Sequence, residues 1–556
     1  MTTSPQDYRG YLDTFDIETV YARLDDAADG YLNAFEACCR RHVRADRGER
    51  VALVHEAPDG SVRELSYREL AEQSARLAGY FKAQGLKEGD RIAGMLPRTP
   101  ELLITVLASW RMGAVYQPLF TAFGPDALEY RLSRASTRLI VIDSANRHKF
   151  DDLVDCPPIL LVQKPDASAD KTHPQDANWQ DAIGAKPFEE APPRQRRDAP
   201  FLQMFTSGTV GKPKGVAVPL SALPAFALYM ELAIDLRDED RFWNMADPGW
   251  AYGLYYAITG PLSLGATTYF CEAPFDAPGA LDFLKRHRIT NFAGAPTAYR
   301  VMKASGLFDD AAGTLALRVA SSAGEPLNTE VVNWVDKALG CTVMDHYGQT
   351  ETGMTCCNHH ALEHPKHVGA MGLPLPGYRL AILDAAYREL PAGEPGVLAV
   401  DVARSPSFFF PGYTWQEKDP FMEGYYLTGD VVIQNEDGTY QFAGRDDDII
   451  TTSGYRVGPT DVENTVLTHP AVAESAAVGR PDELRGEVIV AYVVLRSGHT
   501  PSESLAEEIR QRVRERLSAH AYPRVVEFVT ELPKTPSGKI QRFKLRAEAV
   551  AATTGE

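Results

Sequence analysis

Residues 66–96 read SYRELAEQSARLAGYFKAQGLKEGDRIAGML. Apolar residues recurring at helical spacing predict an amphipathic helix, Gly85 stops it, and RIAGML is a short apolar strand. The same order continues on both sides. Upstream, FEACCRRHVRADRGERVALVHEA (35–57) reads as a helix running into a strand. Downstream come a helix over 101–113, a strand near GAVYQPL, a helix over DALEYRLSRA and the strand RLIVID. Strands alternating with helices predict a parallel α/β sheet.

The chain has 556 residues, too many for one core, so more than one domain is expected. From about 370 to 442 the text turns to short strands separated by Gly and Pro, predicting a β-rich subdomain, and beyond Gly444 a helix–strand pattern returns. Its last long helix, LAEEIRQRVRERLSAH, places Leu505, Ile509, Val513 and Leu517 on one face. Residues 164–199 are polar and Pro-rich without an apolar period and read as a connector or surface excursion.

Composition narrows the function. A net charge of −18 opposes long-range attraction to nucleic acid or anionic membranes. No run reaches the roughly 18 uninterrupted apolar residues of a membrane span; ELLITVLASWRMGAVY comes nearest and Arg111 breaks it. The opening MTTSPQDYRGYLDTFDIETV lacks the basic leader and apolar core of a signal peptide. Seven Cys form no disulfide framework at this length, which favours a reducing cytoplasm.

The most informative segment is MFTSGTVGKPKGVAV, residues 204–218. Gly208, Gly211 and Gly215 allow close backbone approach to a ligand. Thr206, Ser207 and Thr209 offer hydroxyls, and Lys212 and Lys214 offer positive charge. Such a loop suits a polyphosphate. It is not a Walker loop: Thr206 stands where the first Gly should, and Pro213 follows Lys212 where a Ser or Thr should bind magnesium.

The segment resembles the signature loop of the adenylate-forming enzymes, the superfamily of acyl-CoA synthetases, adenylation domains and luciferases. Val210 departs from the usual Thr or Ser. Further segments match in the family's order. AGEP, with Gly324, Glu325 and Pro326, resembles the adenine turn, and DHYGQTETG (345–353) resembles the magnesium and acyl-phosphate segment. The resemblance assigns Asp345, His346, Tyr347, Gly348, Gln349 and Thr350 to the nucleotide, with Tyr347 able to stack on a purine. Glu351 is then the magnesium ligand, held jointly with phosphates. In YLTGD, Asp430 resembles the carboxylate that binds the ribose; in GRDDDIITTSGYRVGPTDVE (444–463), Arg445 and Arg456 resemble the arginines reaching ribose and phosphate. Asp447 matches the interdomain hinge, while Asp446 to Asp448 would repel one another if buried and so belong in a solvated turn. LPKTPSGKIQR (532–542) resembles the loop carrying the adenylation lysine, Lys539.

The resemblance implies an α/β fold: a large N-terminal domain, residues 1–445, of α/β subdomains plus a β-rich subdomain, and a small mobile C-terminal α+β domain, residues 446–556. It implies an ATP-dependent, AMP-forming acid–thiol ligase working with Mg2+ and coenzyme A, in which Lys539, Thr350 and Glu351 are catalytic. Ser453, Gly454 and Tyr455 match the thiol tunnel, and Arg485, Arg514 and Tyr522 fall where similar synthetases contact coenzyme A. The closest branch is that of acetyl- and medium-chain acyl-CoA synthetases. There, acetate-specific members carry Trp where this chain has Gly348, so an acyl pocket of Gly348 and Trp250 is expected to admit short, medium or branched acids. Alternatives are loading of a carrier protein, an aryl-CoA ligase, a luciferase-like oxygenase or a non-catalytic nucleotide binder. By the same resemblance Lys539 is a target for a lysine acyltransferase or deacylase. CCNHHALEHPKH (356–367) lacks the regular gaps of structural zinc ligands and is read as a substrate-side loop, and Cys38 and Cys39 are read as packing.

Overall fold

In the computed structural model, residues 6–25, 29–163, 173, 175–206, 213–327, 329–415, 419–446, 448–452, 455–482, 485–517, 521–534 and 539–554 are described. The 66–96 stretch folds as read. The helix Tyr67–Ala83 starts at a reciprocal cap: Glu69 N donates to Ser66 Oγ at 3.2 Å, and Ser66 N donates to the Glu69 carboxylate at 2.7 Å. This satisfies two amides that have no partner within the helix. Its inner face buries Leu70, Leu77, Ala78 and Phe81. At Gly85 the chain turns with φ +80°, a conformation that any Cβ makes costly.

The strand that follows, Arg91–Met95, pairs in parallel with Val115–Pro118 on one side and Thr137–Asp143 on the other. These lie in the middle of an eight-stranded sheet whose far side carries the hairpin Pro200–Thr206 and Lys214–Pro219. A second, fourteen-stranded sheet has a parallel centre built from Val51–Glu56, Thr268–Cys271, Phe242–Asn244, Asn291–Gly294, Val319–Ala323 and Val343–Gln349. It continues antiparallel through Gly353–Cys357, Ala370–Pro374, Tyr440–Arg445 and Tyr425–Gln434, the region read as β-rich. From Ile450 onward a five-stranded sheet with the helices Pro459–Leu467, Glu503–Arg516 and Arg542–Thr554 builds its own apolar cores.

Four local readings change. The 36–47 stretch is two π-helical turns, kinked where Asp46 takes φ 57°; Cys38 and Cys39 are fully buried in the first, as packing requires. Glu503–Arg516 is not the last long helix, because Arg542–Thr554 follows it. In that helix Ile509 and Val513 are buried, but Leu517, at the C-cap, is 38% exposed. Residues 177–196 are no mere surface excursion. Trp179 and Phe188 are buried, and the Lys186 carbonyl presses on helix Tyr67–Ala83 so closely that a Cβ at Gly79 would stand 1.9 Å from it. Polar composition concealed two anchoring rings. Among the described residues no helix is long and apolar enough to cross a membrane.

Candidate active site

The hairpin pairs Thr206 with Lys214. Ser207, Gly208, Thr209, Gly211 and Lys212 lie outside the described residues. On the outer edge runs the short strand Tyr413–Thr414, pairing Thr414 with Gly215 and Tyr413 with Val216. A Cβ at Gly215 would sit 2.3 Å from Thr414 Oγ1 and 2.4 Å from the Trp415 ring, so this glycine serves the third strand's approach.

Lys214 Nζ lies 4.5 Å from the centroid of the Tyr413 ring, a cation–π distance. The Tyr413 hydroxyl donates to Glu351 Oε1 at 2.7 Å. Glu351 is only 7% exposed. Burial pushes its carboxyl above the usual range, while Tyr413, Lys214 and Arg445 pull it back.

Asp430, 4% exposed, lies opposite Arg445 in the strand register. Arg445 donates to its Oδ1 at 3.1 Å, Gln349 Nε2 to its Oδ2 at 2.8 Å, and the Tyr347 hydroxyl also to Oδ2. Burial raises its pKa and these donors lower it. The Tyr426 hydroxyl donates to Gln349 Oε1 at 3.0 Å. The Tyr413 and Tyr426 hydroxyls also meet, so a run of polar contacts joins Lys214 and Glu351 at one end to Asp430 and Arg445 at the other.

The AGEP turn follows the strand Val319–Ala323, the parallel neighbour of Val343–Gln349. Gly324 takes φ +101° with open space beside it. Glu325 turns away, accepting from Arg300 at 2.8 Å and Thr297 at 3.2 Å. Asp345 Oδ2 accepts from Leu327 N at 3.2 Å, just past Pro326, while Oδ1 is buried and has no hydrogen-bond partner among the described residues. Burial pushes the Asp345 carboxyl up to about 7. Tyr255 donates to the Thr350 carbonyl at 3.0 Å, holding the turn before Glu351.

His346, one residue out of phase with Tyr347, faces the core. Its ring meets the Tyr229 hydroxyl at 2.8 Å and the Asn358 carbonyl at 3.1 Å, and burial draws its pKa down to about 3. Strand alternation explains the split. Gly348 also departs from expectation. A Cβ there would lie 2.2 Å from the Gly353 carbonyl oxygen and 2.7 Å from Met354 Cα, so the missing side chain makes way for backbone at a β-bulge. Trp250 packs on Phe120 and Phe123, centroids 5.3 and 5.7 Å away, with its Nε1 buried and without a hydrogen-bond partner among the described residues.

In the C-terminal part, Asp447, Ser453, Gly454 and the side chains of Tyr455 and Arg456 are outside the described residues. Asp446 is exposed, but Asp448 is not left to solvent: Arg546 holds it at 2.5 Å and Arg542 at 3.7 Å. Lys539 is exposed beside the Lys534–Ile540 bridge. Arg514 is exposed on its helix, Arg485 caps Asp482 through its N–H at 2.9 Å, and Tyr522 lies under the Arg524 guanidinium. Cys356 and Cys357 are fully buried in a strand rather than in a substrate-side loop. His360 bonds the Ala320 carbonyl at 2.8 Å. Among the described residues no group of three or more His, Cys, Asp or Glu is placed to hold a metal. Tyr413 and Tyr426 were not read from the sequence; a Tyr after a Pro-Gly turn carries no signal of a distant carboxylate.

With this geometry in view, comparison with known proteins is direct. Residues 39–414 match the AMP-binding enzyme family and residues 461–539 the AMP-binding enzyme C-terminal domain. The chain is 33% identical to an acetyl-coenzyme A synthetase of Bacillus subtilis over 95% of its length and 92% of that protein's. It is 46% identical to the crystal structure of a Brucella canis acyl-CoA synthetase, with TM-score 0.78, covering 99% of this chain and 100% of that one. A benzoate CoA ligase from Burkholderia xenovorans superposes with TM-score 0.81 at 29% identity, covering 93% of this chain and 100% of that one. The chain belongs to the AMP-binding, adenylate-forming enzymes. Within them it is an AMP-forming acid–thiol ligase of the acyl-CoA synthetase class, using ATP and coenzyme A.

Proposed function

We propose that this synthetase activates a short-chain, medium-chain or branched carboxylic acid in preference to acetate. The observation that carries the nucleotide half of the reading is the pairing of two buried acids in one polar run: Glu351 beside Lys214 at the phosphate hairpin, and Asp430 beside Arg445. An extended nucleotide matches that layout, with the polyphosphate at the hairpin and the ribose hydroxyls exchanging for one of the donors on Asp430. The unpartnered Asp345 Oδ1 suits a purine amino group. At the pocket's end, backbone at Gly348 leaves no place for a shortening ring, and Trp250, Phe120 and Phe123 offer an apolar wall.

The substrate carboxylate, already anionic, attacks the α-phosphorus of ATP and displaces pyrophosphate. No general base is needed; the protein's task is alignment and charge neutralisation. Lys214, the hairpin amides and Lys539 serve that task. A magnesium ion would be held by Glu351, which belongs to no cluster of three or more metal-ligating side chains among the described residues, with phosphate oxygens and water completing its shell. Bound there, it supplies further neutralisation of the polyphosphate. The coenzyme A thiol then attacks the acyl-adenylate and releases AMP. We assign Ser453, Gly454 and Tyr455 to the thiol path, Arg485, Arg514 and Tyr522 to coenzyme A, and Arg456 to phosphate. The domain boundary is placed at 445/446 with Asp447 as the hinge. Seven free thiols suit the reducing cytoplasm, and exposed Lys539 suits control by a lysine acyltransferase and deacylase.

The test is pyrophosphate and AMP release over a panel of aliphatic and aromatic acids, with and without coenzyme A. Propionate, butyrate, branched or medium-chain acids should outpace acetate, and a maximum at acetate or benzoate sinks the assignment. In the same assay Lys539→Ala should lower ATP–pyrophosphate exchange by about 10²–10³-fold yet still form thioester from supplied acyl-AMP.

A further inference from the structure

Glu351 and Lys214 belong to different sheets, one lying between the strands Val343–Gln349 and Gly353–Cys357 and the other in the hairpin. One side chain touches both. Tyr413 lies under Lys214 with its ring face, 4.5 Å from Nζ, and reaches Glu351 Oε1 with its hydroxyl at 2.7 Å. Its backbone is fixed independently. Gly412, at φ +114°, turns the chain into the strand Tyr413–Thr414, which pairs with the hairpin at Val216 and Gly215. Trp415 then stacks on Phe205, centroids 5.9 Å apart, near the loop end of the hairpin. A ring on so short a strand could fill this space as phenylalanine, so the hydroxyl has a specific use. Glu351 is almost fully buried, and a buried carboxylate left without donors takes up whatever orientation and protonation its surroundings impose.

We propose that Tyr413 is a positioning residue for adenylation, holding the Glu351 carboxylate and the Lys214 ammonium in one arrangement toward the polyphosphate of ATP. The proposal rests on the nucleotide reading given above. It separates the two functions of the residue: the hydroxyl orients the carboxylate, and the ring supports the ammonium group and the hairpin edge. Losing a partner that orients a metal-binding group typically costs about 10–100-fold in metal affinity or activity.

Two variants divide these functions. Tyr413→Phe keeps the ring, and Tyr413→Leu removes both. Binding of Mn2+ in the presence of a non-hydrolysable ATP analogue is followed by electron paramagnetic resonance. Binding of the analogue alone is followed by calorimetry in EDTA. Tyr413→Phe should weaken Mn2+ binding by about 10–100-fold while leaving metal-free nucleotide binding at the wild-type value; Tyr413→Leu should weaken both. ATP–pyrophosphate exchange by Tyr413→Phe should fall mainly in kcat, with thioester formation from supplied acyl-AMP unchanged. Wild-type Mn2+ affinity in Tyr413→Phe overturns the proposal, and so does an equal loss of metal-free binding. If instead the wild-type protein shows no exchange with any acid, the nucleotide reading itself has failed.

Discussion

At Gly348 two physical arguments compete. One treats a glycine in a pocket wall as room for substrate; the other treats it as room for backbone. The contact distances favour the second, since the position of a Cβ is already taken by Gly353 and Met354. Gly348→Ala should therefore cost about 1–3 kcal/mol of stability, as overpacking does, and disturb Glu351 three residues on. Urea denaturation together with ATP–pyrophosphate exchange checks this; an alanine variant of wild-type stability with only a shifted acid preference would restore the pocket argument. The same scale shows what a motif leaves unsaid. DHYGQTETG names its residues, but that His346 faces the core while Tyr347 and Gln349 face Asp430 is set by strand alternation and a bulge.

Among elements, the terminal helix Arg542–Thr554 matters most for how the C-terminal part is held. Arg542 makes two bonds to Glu463, at 2.7 and 3.0 Å, and Glu463 also accepts from Ala477 N at 2.8 Å. Both side chains are largely shielded from water. Removing one partner of a buried pair strands the other charge, at a cost of about 3–5 kcal/mol. Glu463→Gln should lower the unfolding midpoint of the C-terminal part accordingly. Replacing both residues by apolar ones of similar size should recover most of the loss. Differential scanning calorimetry of the full chain separates these outcomes, and a Glu463→Gln variant with an unchanged midpoint would mean that the pair carries no net stability. Beside it, Arg546 on the same helix holds Asp448, next in sequence to the proposed hinge residue. Asp448 is therefore a docking point for this helix, where charge repulsion alone predicted solvent.

For the whole molecule, pH is the sharpest probe of burial. His42, His346 and His360 are drawn down to about 3, and His359 well below its usual value, all chiefly by burial. Between about pH 6.5 and 3 the unfolded chain binds protons on these rings that the folded chain refuses, so they remove stability as the pH falls. Asp345 and Asp461, raised to about 7 and about 6, act with the opposite sign, since the folded chain holds their protons where the unfolded chain releases them. His364 and His469 are drawn down as well, and burial also raises Asp247, Glu351 and Asp430; six rings against five acids leave a net loss on acidification on the order of 1 kcal/mol per pH unit between about pH 6 and 4. Urea midpoints at pH 7 and 4.5 read it directly, and equal midpoints would contradict it. The chain's own text determined the layered α/β frame, because 3.6-residue and two-residue apolar periods are local properties that survive without knowledge of partners. It also marked the phosphate loop, AGEP, Asp430 and Lys539 as candidates, because each lies in a short contiguous pattern. Tertiary structure alone decided what joins them. Tyr413 meets Glu351 across 62 residues of chain, and Tyr347 meets Asp430 across 83. Contacts at such separation are set by sheet order and register, which no local pattern encodes.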